Sequence, residues 1–590
     1  MATTSSYTPV KKTIPPSPCA TCCTGGGGGG GKPHNANSSL SVPVGMQSAG
    51  VTNTGGANSV LLSSGQFMFT LGLLSTAGIG GGAWSFGLNY LAGSGVVDLL
   101  GPGFAYTQLN NLTLNSDNSV DLYTGDNLAA HFIPNGIGSN VTYSSATGNN
   151  SAATLLRTGI GTAADMFTLT NADGAVATFA GFSAGVLQPG GRMLSYTDRY
   201  GSGQTYAWSS VGGAALLDSV TDCYGRTINY SYTVTGGGYR LSQITDFLGR
   251  QLDFQYDSGG RLTAAVLPSI NNAAPGNTFP NGTAYVFQWD SNNPRPERQN
   301  DLIKIFYPNQ VAPFLGAPRT VDVNSVYAQA QSRYAITYGQ DPTDADQWGR
   351  ALTETVGVGG TGPGGTFSFL YTSDPADLPA NIIDPNDPIV FRTVVTDRNG
   401  NQSIYDFNAN GVASHVGQLA SRQKNSQEAT EWDTWTQYTA NNLELLVVKP
   451  AGNSIAFTRD SGMVQINGAS NPAVLLPQRR GLLLTTTELP GNSIGIPERT
   501  TPSDQAQLQT SYFYDPIYSQ QCAMIEPRGN PIGTAGGANV YFTPQNGGTP
   551  PTDADRSRYA TTNFFDYQKN QLSTIINSPL LQQLLGFSPT

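Results

Sequence analysis

An internal period of 24 residues limits the fold of this chain more than any other feature of its sequence. Three blocks align without a gap: MLSYTDRYGSGQTYAW begins at Met193, LDSVTDCYGRTINYSY at Leu217 and LSQITDFLGRQLDFQY at Leu241. Each block has an apolar first residue, a Thr-Asp pair, a glycine three residues after the aspartate, and two aromatic residues spaced by two. The middle of the chain is therefore predicted to be a structural repeat.

The residues of one block predict a β-hairpin. Asp-x-x-Gly is a turn signal, because the short carboxylate accepts backbone N–H bonds and glycine supplies a positive φ. Aromatic residues at positions i and i+2 of the following strand lie on one face of it. One hairpin cannot bury that stripe alone, so neighbouring hairpins are predicted to pair in a continuous sheet. The repeat thus favours an all-β fold.

Composition agrees with this class and excludes one kind of partner. The 590 residues include 71 Gly and 37 Pro, and only 12% are charged, against about 25% in an ordinary soluble domain. Short strands joined by tight turns fit this mixture, whereas long amphipathic helices do not. The formal charge of −10 and the lack of a basic patch argue against nucleic acid as a partner.

Further copies of the repeat follow the first three. A clear fourth copy contains Thr396-Asp397 and Gly400, followed by Tyr405 and Phe407. Degenerate copies begin near residues 449, 489 and 526, and Gly- and Pro-rich insertions such as 268–284 and 357–366 separate them. Insertions of this kind are predicted to be loops at one edge of a repeat stack.

The sequence pattern of the repeat resembles the YD repeat of the rearrangement-hotspot (RHS) family. The pattern TDxxGR…(Y/F)xYD…GRL runs from Thr245 to Leu262, with Tyr256-Asp257 as its Tyr-Asp pair and Tyr514-Asp515 as another. The segment GIGGGAWSFGLNYL at 78–91 is similar to the Gly-rich Trp segment that precedes such repeats, and Asp173-Gly174 fits the family's DG hairpins. The resemblance covers roughly residues 60–545.

This resemblance implies a long β-sheet wound into a hollow, shell-like structure and preceded by a smaller β-domain. In the family such a shell encloses a cargo or toxin, or presents a surface to sugars and partners. Larger members end in a core motif with catalytic aspartates for self-cleavage, followed by a variable toxin. This sequence shows neither feature, so self-processing and toxicity are not expected of it.

The predicted organisation has four parts. Residues 1–40 form a flexible Gly-, Pro- and Cys-containing tail, 41–190 an N-terminal β-domain, 191–545 the repeat sheet, and 546–590 a C-terminal tail with a short helix. No ordinary secretory signal is visible. The stretch 33–97 lacks Asp, Glu, Lys and Arg, but its glycines favour uncharged β-structure over a membrane span. A secreted or cell-surface location is predicted.

Three patterns were weighed as chemical sites, and each favours a structural role. Gly181-Phe182-Ser183-Ala184-Gly185 matches a nucleophile elbow, but VLQPGG after it cannot begin the helix that an elbow needs. Zinc and calcium sites remain alternatives to a flexible linker and to solvated turns. Their candidate ligands are Cys19, Cys22, Cys23 and His34 for zinc, and Asp341, Asp344, Asp346, Asp374, Asp377, Asp384 and Asp387 for calcium. No catalytic, cofactor-binding or metal-binding residue and no cofactor is predicted.

The sequence therefore predicts a non-enzymatic RHS/YD-repeat scaffold, which forms part of a secreted or surface shell or carrier, or a binding module. A carbohydrate-binding or carbohydrate-active β-repeat protein is one alternative, and a fibre or appendage component is another. The predicted partners are an enclosed polypeptide cargo or a C-terminal partner chain, and a polysaccharide. Nucleic acid and a membrane span are not predicted.

Overall fold

The computed structural model describes most of the chain between residues 58 and 575, and every structural statement below concerns these residues. The described ranges are 58–78, 83–93, 97–106, 110–124, 127–145, 153–171, 174–271, 278–357, 364–419, 431–440, 442–450, 452–461, 463–464, 474–475, 481–489, 508–514, 521–526, 560–566 and 571–575. The predicted N-terminal tail, with Cys19, Cys22, Cys23 and His34, lies outside them.

The first described element is a small antiparallel sheet with the strand order β1-β2-β3-β6. Its strands are β1 (Asn58–Leu61), β2 (Gln66–Ser75), β3 (Ser85–Leu91) and β6 (Phe104–Tyr106), and β4 (Val97–Asp98) pairs with β5 (Gly101–Pro102) between them. Buried residues alternate along β2, as a strand with one face in the core requires.

A second group of strands forms a small barrel with its own core. These strands are β7 (Asn110–Leu114), β8 (Val120–Thr124), β9 (Asn127–Pro134), β10 (Val141–Ser145), β11 (Thr154–Thr158), β12 (Met166–Thr170), β13 (Val176–Ala180) and β14 (Met193–Thr197). Each pairs antiparallel with the next, and β7 returns to the start of β14 through a bridge between Asn111 and Arg192. Phe132, Phe167 and Phe179 fill the interior.

From β14 onward the same sheet continues to β40, each strand antiparallel to its neighbours. The strands are β15 (Gly203–Val211), β16 (Ala214–Asp222), β17 (Thr227–Thr235), β18 (Gly238–Thr245), β19 (Gln251–Tyr256), β20 (Leu262–Val266), β21 (Ala284–Trp289), β22 (Leu302–Phe306), β25 (Tyr334–Tyr338), β26 (Ala351–Val356), β27 (Gly365–Thr372), β28 (Ile389–Thr396), β29 (Gln402–Asn408), β30 (Ala413–Leu419), β31 (Glu431–Tyr438), β32 (Glu444–Val448), β33 (Ser454–Arg459), β36 (Leu483–Leu489), β37 (Leu508–Tyr514), β38 (Gln521–Ile525), β39 (Ala560–Asp566) and β40 (Gln571–Ile575). The predicted all-β fold with a long repeat sheet is confirmed.

Short elements interrupt the sheet at its insertions. The pairs β23 (Leu315–Gly316) with β24 (Thr320–Val321) and β34 (Met463–Val464) with β35 (Val474–Leu475) are separate from it. The helices are α1 (Pro308–Val311), α2 (Val323–Gln329) and the 3-10 turns Pro296–Arg298 and Ala312–Phe314. Residues 308–330 cover the outer face of β20–β22, where Val311, Val321 and Val326 pack on Val266 and Val286.

The predicted Asp-x-x-Gly turns are confirmed in atomic detail. In the turn at Asp222, Oδ1 accepts the N–H groups of Tyr224 at 2.9 Å and Arg226 at 3.0 Å, and Oδ2 accepts Arg226 Nε at 2.6 Å. Gly225 has a φ of 74°, a conformation that glycine adopts without a Cβ penalty. The carboxylate bonds of the turns at Asp246 and Asp257 repeat this geometry.

The second aromatic residue of each repeat makes a bond that the sequence did not reveal. Among the described residues, eight such rings donate from a side-chain O–H or N–H to the carbonyl of the first residue in their own repeat. The pairs are Trp208 to Met193, Tyr232 to Leu217, Tyr256 to Leu241, Trp289 to Leu262, Tyr338 to Leu302, Tyr371 to Ala351, Tyr438 to Ala413 and Tyr514 to Leu483. All but Tyr371 lie at a β-bulge.

The N-terminal sheet lies against the inner face of the repeats. Its rings join one continuous core with apolar side chains of β15 to β30, and Phe69, for example, lies 5.9 Å from Phe287 between ring centroids. The resemblance implied a hollow shell, but along these strands the inner face is covered by the chain's own residues. The uncharged N-terminal strands gain this burial because the aromatic stripes of the repeats lie opposite them.

Two strands lie within the predicted C-terminal tail. Residues 560–566 and 571–575 of the predicted C-terminal tail form β39 and β40, with a bulge at Phe564 and Phe565 that continues the aromatic pattern. The helix expected near Pro579 lies outside the described residues. In the part of the chain that the structure describes, no helix is long and apolar enough to cross a membrane.

Candidate binding surface

The inner face of the repeat sheet is the best-defined surface at which this chain holds another segment. Strand register assigns residues to it, because directly paired residues point to the same face. Tyr206 pairs with Val220, and Trp208 with Leu217 across the bulge, and all four contact the core shared with the N-terminal sheet. The aromatic stripe of the repeats thus faces inward.

Backbone amides at the first residue of a repeat bond the N-terminal segment directly. The Leu241 N–H donates to the Leu99 carbonyl at 2.8 Å, and the Ala351 N–H donates to the Gly65 carbonyl at 2.8 Å. The Leu302 N–H donates to Tyr90 Oη at 3.1 Å. Each of these three residues lies next to a β-bulge, immediately before the residue that the strand ladder skips, and its N–H bonds the enclosed segment.

The turn arginines have a double role that the sequence interpretation missed. Arg226 and Arg250 bond their own turn aspartates through Nε, while Nη2 donates to the carbonyl of Ala77 at 2.5 Å and of Ser75 at 3.2 Å. The signal was present, since arginine follows glycine in both turns. Its second acceptor was hidden, because that acceptor lies about 150 residues or more earlier in the chain.

Side chains of the sheet complete the contact. Gln204 Nε2 donates to the Ala83 carbonyl at 2.6 Å, and the buried Thr393 Oγ1 donates to the Leu62 carbonyl at 2.6 Å. Most of these acceptors are main-chain carbonyls, which every polypeptide carries. The inner face therefore recognises a segment largely by its backbone and by its apolar side chains.

A ladder of four charged or titratable side chains crosses the outer face of β28 to β31. Arg392 bonds both oxygens of the buried Asp406, at 2.7 and 3.0 Å. Asp406 Oδ2 lies 2.7 Å from His415 Nδ1, and His415 Nε2 lies 3.0 Å from Asp433 Oδ1. Trp435 stacks on the imidazole with a centroid distance of 4.2 Å.

Burial and hydrogen bonding oppose each other in this ladder. Burial alone would lower the pKa of His415, but its bonds to Asp406 and Asp433 outweigh burial and raise that pKa above the usual value. Burial alone would raise the pKa of Asp406, but its bonds to His415 and Arg392 lower it. The ladder bonds four neighbouring strands to each other.

Ser183 is bonded to a buried aspartate. Its hydroxyl donates to Asp165 Oδ2 at 2.7 Å, and the N–H groups of Phe182 and Ser183 donate to the same oxygen at 2.9 Å. Arg157 bonds both oxygens of that carboxylate. The groups that would form a nucleophile and its oxyanion donors are therefore used to hold a buried aspartate at one end of the small barrel.

The acidic loops that were candidates for calcium form local turns. Asp341 Oδ1 accepts the Thr343 N–H at 2.9 Å, and Asp374 Oδ1 accepts the Ala376 N–H at 2.9 Å. Asp344 and Asp384 accept backbone N–H groups in the same way. Within the described ranges, no group of three or more His, Cys, Asp or Glu side chains could hold a metal ion.

A row of aromatic residues and arginines lies along the turn edge of the first repeats. Tyr200 and Tyr224 are about half exposed, at 51% and 52%. The Arg226 guanidinium lies 4.9 Å from the Tyr224 ring centroid and 4.6 Å from that of Phe247. Cys223 lies exposed in this row as a free thiol.

Comparison with known proteins identifies no family. No protein-family model and no curated protein sequence matches this chain. Among solved structures, the Photorhabdus luminescens Tc holotoxin pore aligns over 83% of this chain and 24% of its own, with 10% identity and a TM-score of 0.25. TcdB2-TccC3 without its hypervariable C-terminal region aligns over 82% and 24%, with 10% identity and a TM-score of 0.23.

A third structure is shorter than these. The N-terminal domain of effector protein SpvB from Salmonella typhimurium strain LT2 aligns over 52% of this chain and 95% of its own, with 12% identity and a TM-score of 0.20. This chain spans about a quarter of the length of the first two structures.

Proposed function

We propose that this chain is a non-enzymatic scaffold of the RHS/YD-repeat kind, which holds polypeptide against the inner face of its sheet as part of a secreted or surface shell or carrier. One observation carries the proposal: the described residues between 58 and 106 lie on that face, held largely through main-chain carbonyls. A surface that binds backbone in this way suits a carrier of polypeptide better than a catalyst.

The absence of a chemical role for the best-placed polar groups supports the same conclusion. The turn aspartates recur once per turn and are satisfied by backbone N–H groups and, in three turns, by arginine. Ser183 is engaged with Asp165, and His415 lies between two carboxylates. Each of these groups stabilises the sheet or the barrel where it stands.

The proposal is tested by amide hydrogen exchange of the full chain. Thr393→Val keeps the shape of the buried side chain and removes the donor to the Leu62 carbonyl, so exchange in residues 61–75 should become faster. Thr396→Val on the outward face of the same strand is the matched control and should leave those residues unchanged. If the amides of residues 61–75 in the unaltered chain exchange as fast as those of an exposed loop, the proposal is contradicted.

Polysaccharide binding is a second candidate, favoured by the exposed aromatic row at the turns. Tyr200 and Tyr224 are about half exposed, each with an arginine guanidinium near its ring, and they lie about one hairpin apart, roughly 10 Å. Aromatic faces of this kind can stack on sugar rings. Loss of retention on an immobilised polysaccharide in a Tyr200→Ala, Tyr224→Ala variant would support this candidate, and retention unchanged by the substitutions would exclude the row as its site.

A further inference from the structure

The inner face continues beyond the strands that the N-terminal sheet covers. Tyr405 pairs with Val416 and Val416 with Thr434, so the face extends from β29 through β30 to β31. Register carries it on to Phe457 and Thr486, and from Thr486 to Thr510. The same side of the sheet therefore runs from the covered strands to β37 without interruption.

The shared core ends at β30. Ala413 is its last buried residue, and Val416 is the last partly buried residue packed against it. Beyond it, in the described part of the chain, the inner-facing Trp432 is 51% exposed and Leu508 is 41% exposed. At the equivalent side of β15 and β19, Trp208 and Phe254 are buried. Trp432 and Leu508 are thus exposed near the starts of their strands, whereas Tyr512, at the repeat position of Phe254, is buried.

The bulges also continue into this region. Phe407 pairs with Ala413, Tyr438 with Glu444, and Arg459 with Leu483, each across a shift in register. In the earlier repeats, this register is where the amides of Leu241, Leu302 and Ala351 donate to the N-terminal segment. The far repeats keep the backbone geometry that binds an enclosed segment.

Charge distinguishes the far half of the face from the covered half. The first residue of each covered repeat is apolar, but in β32 this position is the exposed Glu444, which pairs with Tyr438. Arg459 lies beside it and donates to the Glu444 and Gly481 carbonyls. Glu488 is exposed on the inner face of β36, and its direct partner is the exposed Leu508.

We propose that the inner face of β31–β37 binds an extended segment of a partner polypeptide that combines apolar side chains with lysine or arginine. Its apolar side chains contact Trp432 and Leu508, its basic side chain pairs with Glu488, and its carbonyls accept from the bulge amides. The inference rests on the proposed function and adds the class of partner. The chain's own N-terminal strands carry no charged side chain up to Val97, so they lack the basic group that would pair with Glu488.

The test is fluorescence anisotropy of the full chain with a labelled eight-residue peptide of alternating Lys and Val. Trp432→Ala, Leu508→Ala and Glu488→Gln should each weaken binding at least about fivefold, as expected for anchors of an interface. The matched controls are Leu370→Ala, an apolar side chain 57% exposed on the outward face of β27, and Asp218→Asn, an exposed carboxylate elsewhere. Both controls should bind within about twofold of the unaltered chain.

Each other outcome overturns the inference. Equal losses in the controls would show non-specific attraction to an acidic protein, and a peptide of alternating Glu and Val that binds as well would remove the role of Glu488. Displacement of the Lys-Val peptide by a neutral oligosaccharide would assign the face to sugar. The exchange experiment on residues 61–75 is independent of these results, so failure here with protection there leaves the proposed scaffold intact and rejects only this partner.

Discussion

At the scale of single residues, the second aromatic position of each repeat combines two tasks. Its ring fills the core, and its polar end satisfies a carbonyl at the start of the repeat. This explains why the position is Tyr or Trp in eight described repeats. Arg459 keeps the bond with a different side chain, since its Nε donates to the Glu444 carbonyl at 3.0 Å. The aromatic residue was predictable from the period, but its acceptor was not, because it lies on a neighbouring strand.

Removing one hydroxyl should measure this bond. Tyr256→Phe keeps the ring and leaves the Leu241 carbonyl without its donor, so the free energy of unfolding should fall by about 1 kcal/mol. Chemical denaturation followed by tyrosine and tryptophan fluorescence provides the measurement. Tyr224→Phe, at a side chain 52% exposed, is the control and should change stability by less than about 0.5 kcal/mol. Equal effects would contradict the assigned role.

The cost of replacing Gly225 should depend on how readily the new residue adopts a positive φ, and not on steric clashes of its side chain. Its φ is 74°, and a Cβ added there would meet no atom within 4 Å. Gly225→Val should therefore lower the free energy of unfolding by about 1–2 kcal/mol through backbone strain. Gly225→Asn should cost less, because Asn adopts this conformation more readily. A valine variant as stable as the asparagine variant would show that the turn relaxes out of the left-handed region.

At the scale of elements, the repeats persist through insertions that hide them in the sequence. The period showed three gapless copies and a fourth at Asp397, but Trp289 and Tyr338 close the same bond across separations of 27 and 36 residues. The intervening segments change length freely because they leave and re-enter the sheet at strand ends. Three gapless units were therefore predictable, and the units with long insertions were not.

The ladder on β28 to β31 predicts a defined dependence of stability on pH. The raised pKa of His415 contributes stability that is complete below its unfolded value, about 6.5, and is lost as pH rises through the folded value. The lowered pKa of Asp406 contributes stability that is complete above its unfolded value, about 3.9, and is lost as pH falls through the folded value. The ladder should therefore stabilise the sheet most between about pH 3.9 and about pH 6.5.

His415→Asn isolates this contribution. The variant should lower the melting temperature more at pH 6 than at pH 9, because the unaltered chain has itself lost part of the ladder at the higher pH. His131→Asn is the matched control, since His131 pairs with Asp121 at 2.6 Å but is more exposed, at 35% of its side chain. If His415→Asn lowers the melting temperature by the same amount at pH 6 and at pH 9, protonation of the imidazole is excluded as the cause.

At the scale of the whole molecule, the two largest hydrophobic cores are separate. Phe132, Phe167 and Phe179 belong to the small barrel, whereas Phe69, Phe104 and Phe287 belong to the core between the N-terminal sheet and the repeats. The long sheet was predictable from period, composition and resemblance. Its covering by residues 58–106 was not, because no local pattern tells which distant surface an uncharged strand will bury.

Truncating one ring in each core should show whether they unfold as units. Phe69→Ala should cost about 3–5 kcal/mol and speed amide exchange in the N-terminal strands and in β19 to β22. Phe179→Ala removes an equally buried ring from the barrel and should affect β7 to β14 instead. Exchange that spreads through both regions in either variant would contradict the division into two cores.

The hydrogen bond from each aromatic ring to the first residue of its repeat also bears on the order in which the repeats can fold during synthesis. Every acceptor carbonyl comes before its donor in the chain, by 15 residues in the gapless repeats. The strands of the N-terminal sheet likewise come before the repeat strands on whose inner face they lie. During synthesis, each ring therefore emerges from the ribosome after its acceptor is already present. The repeat strands can therefore pack on the N-terminal sheet in the order of translation. No repeat needs a later one to form its own aromatic hydrogen bond.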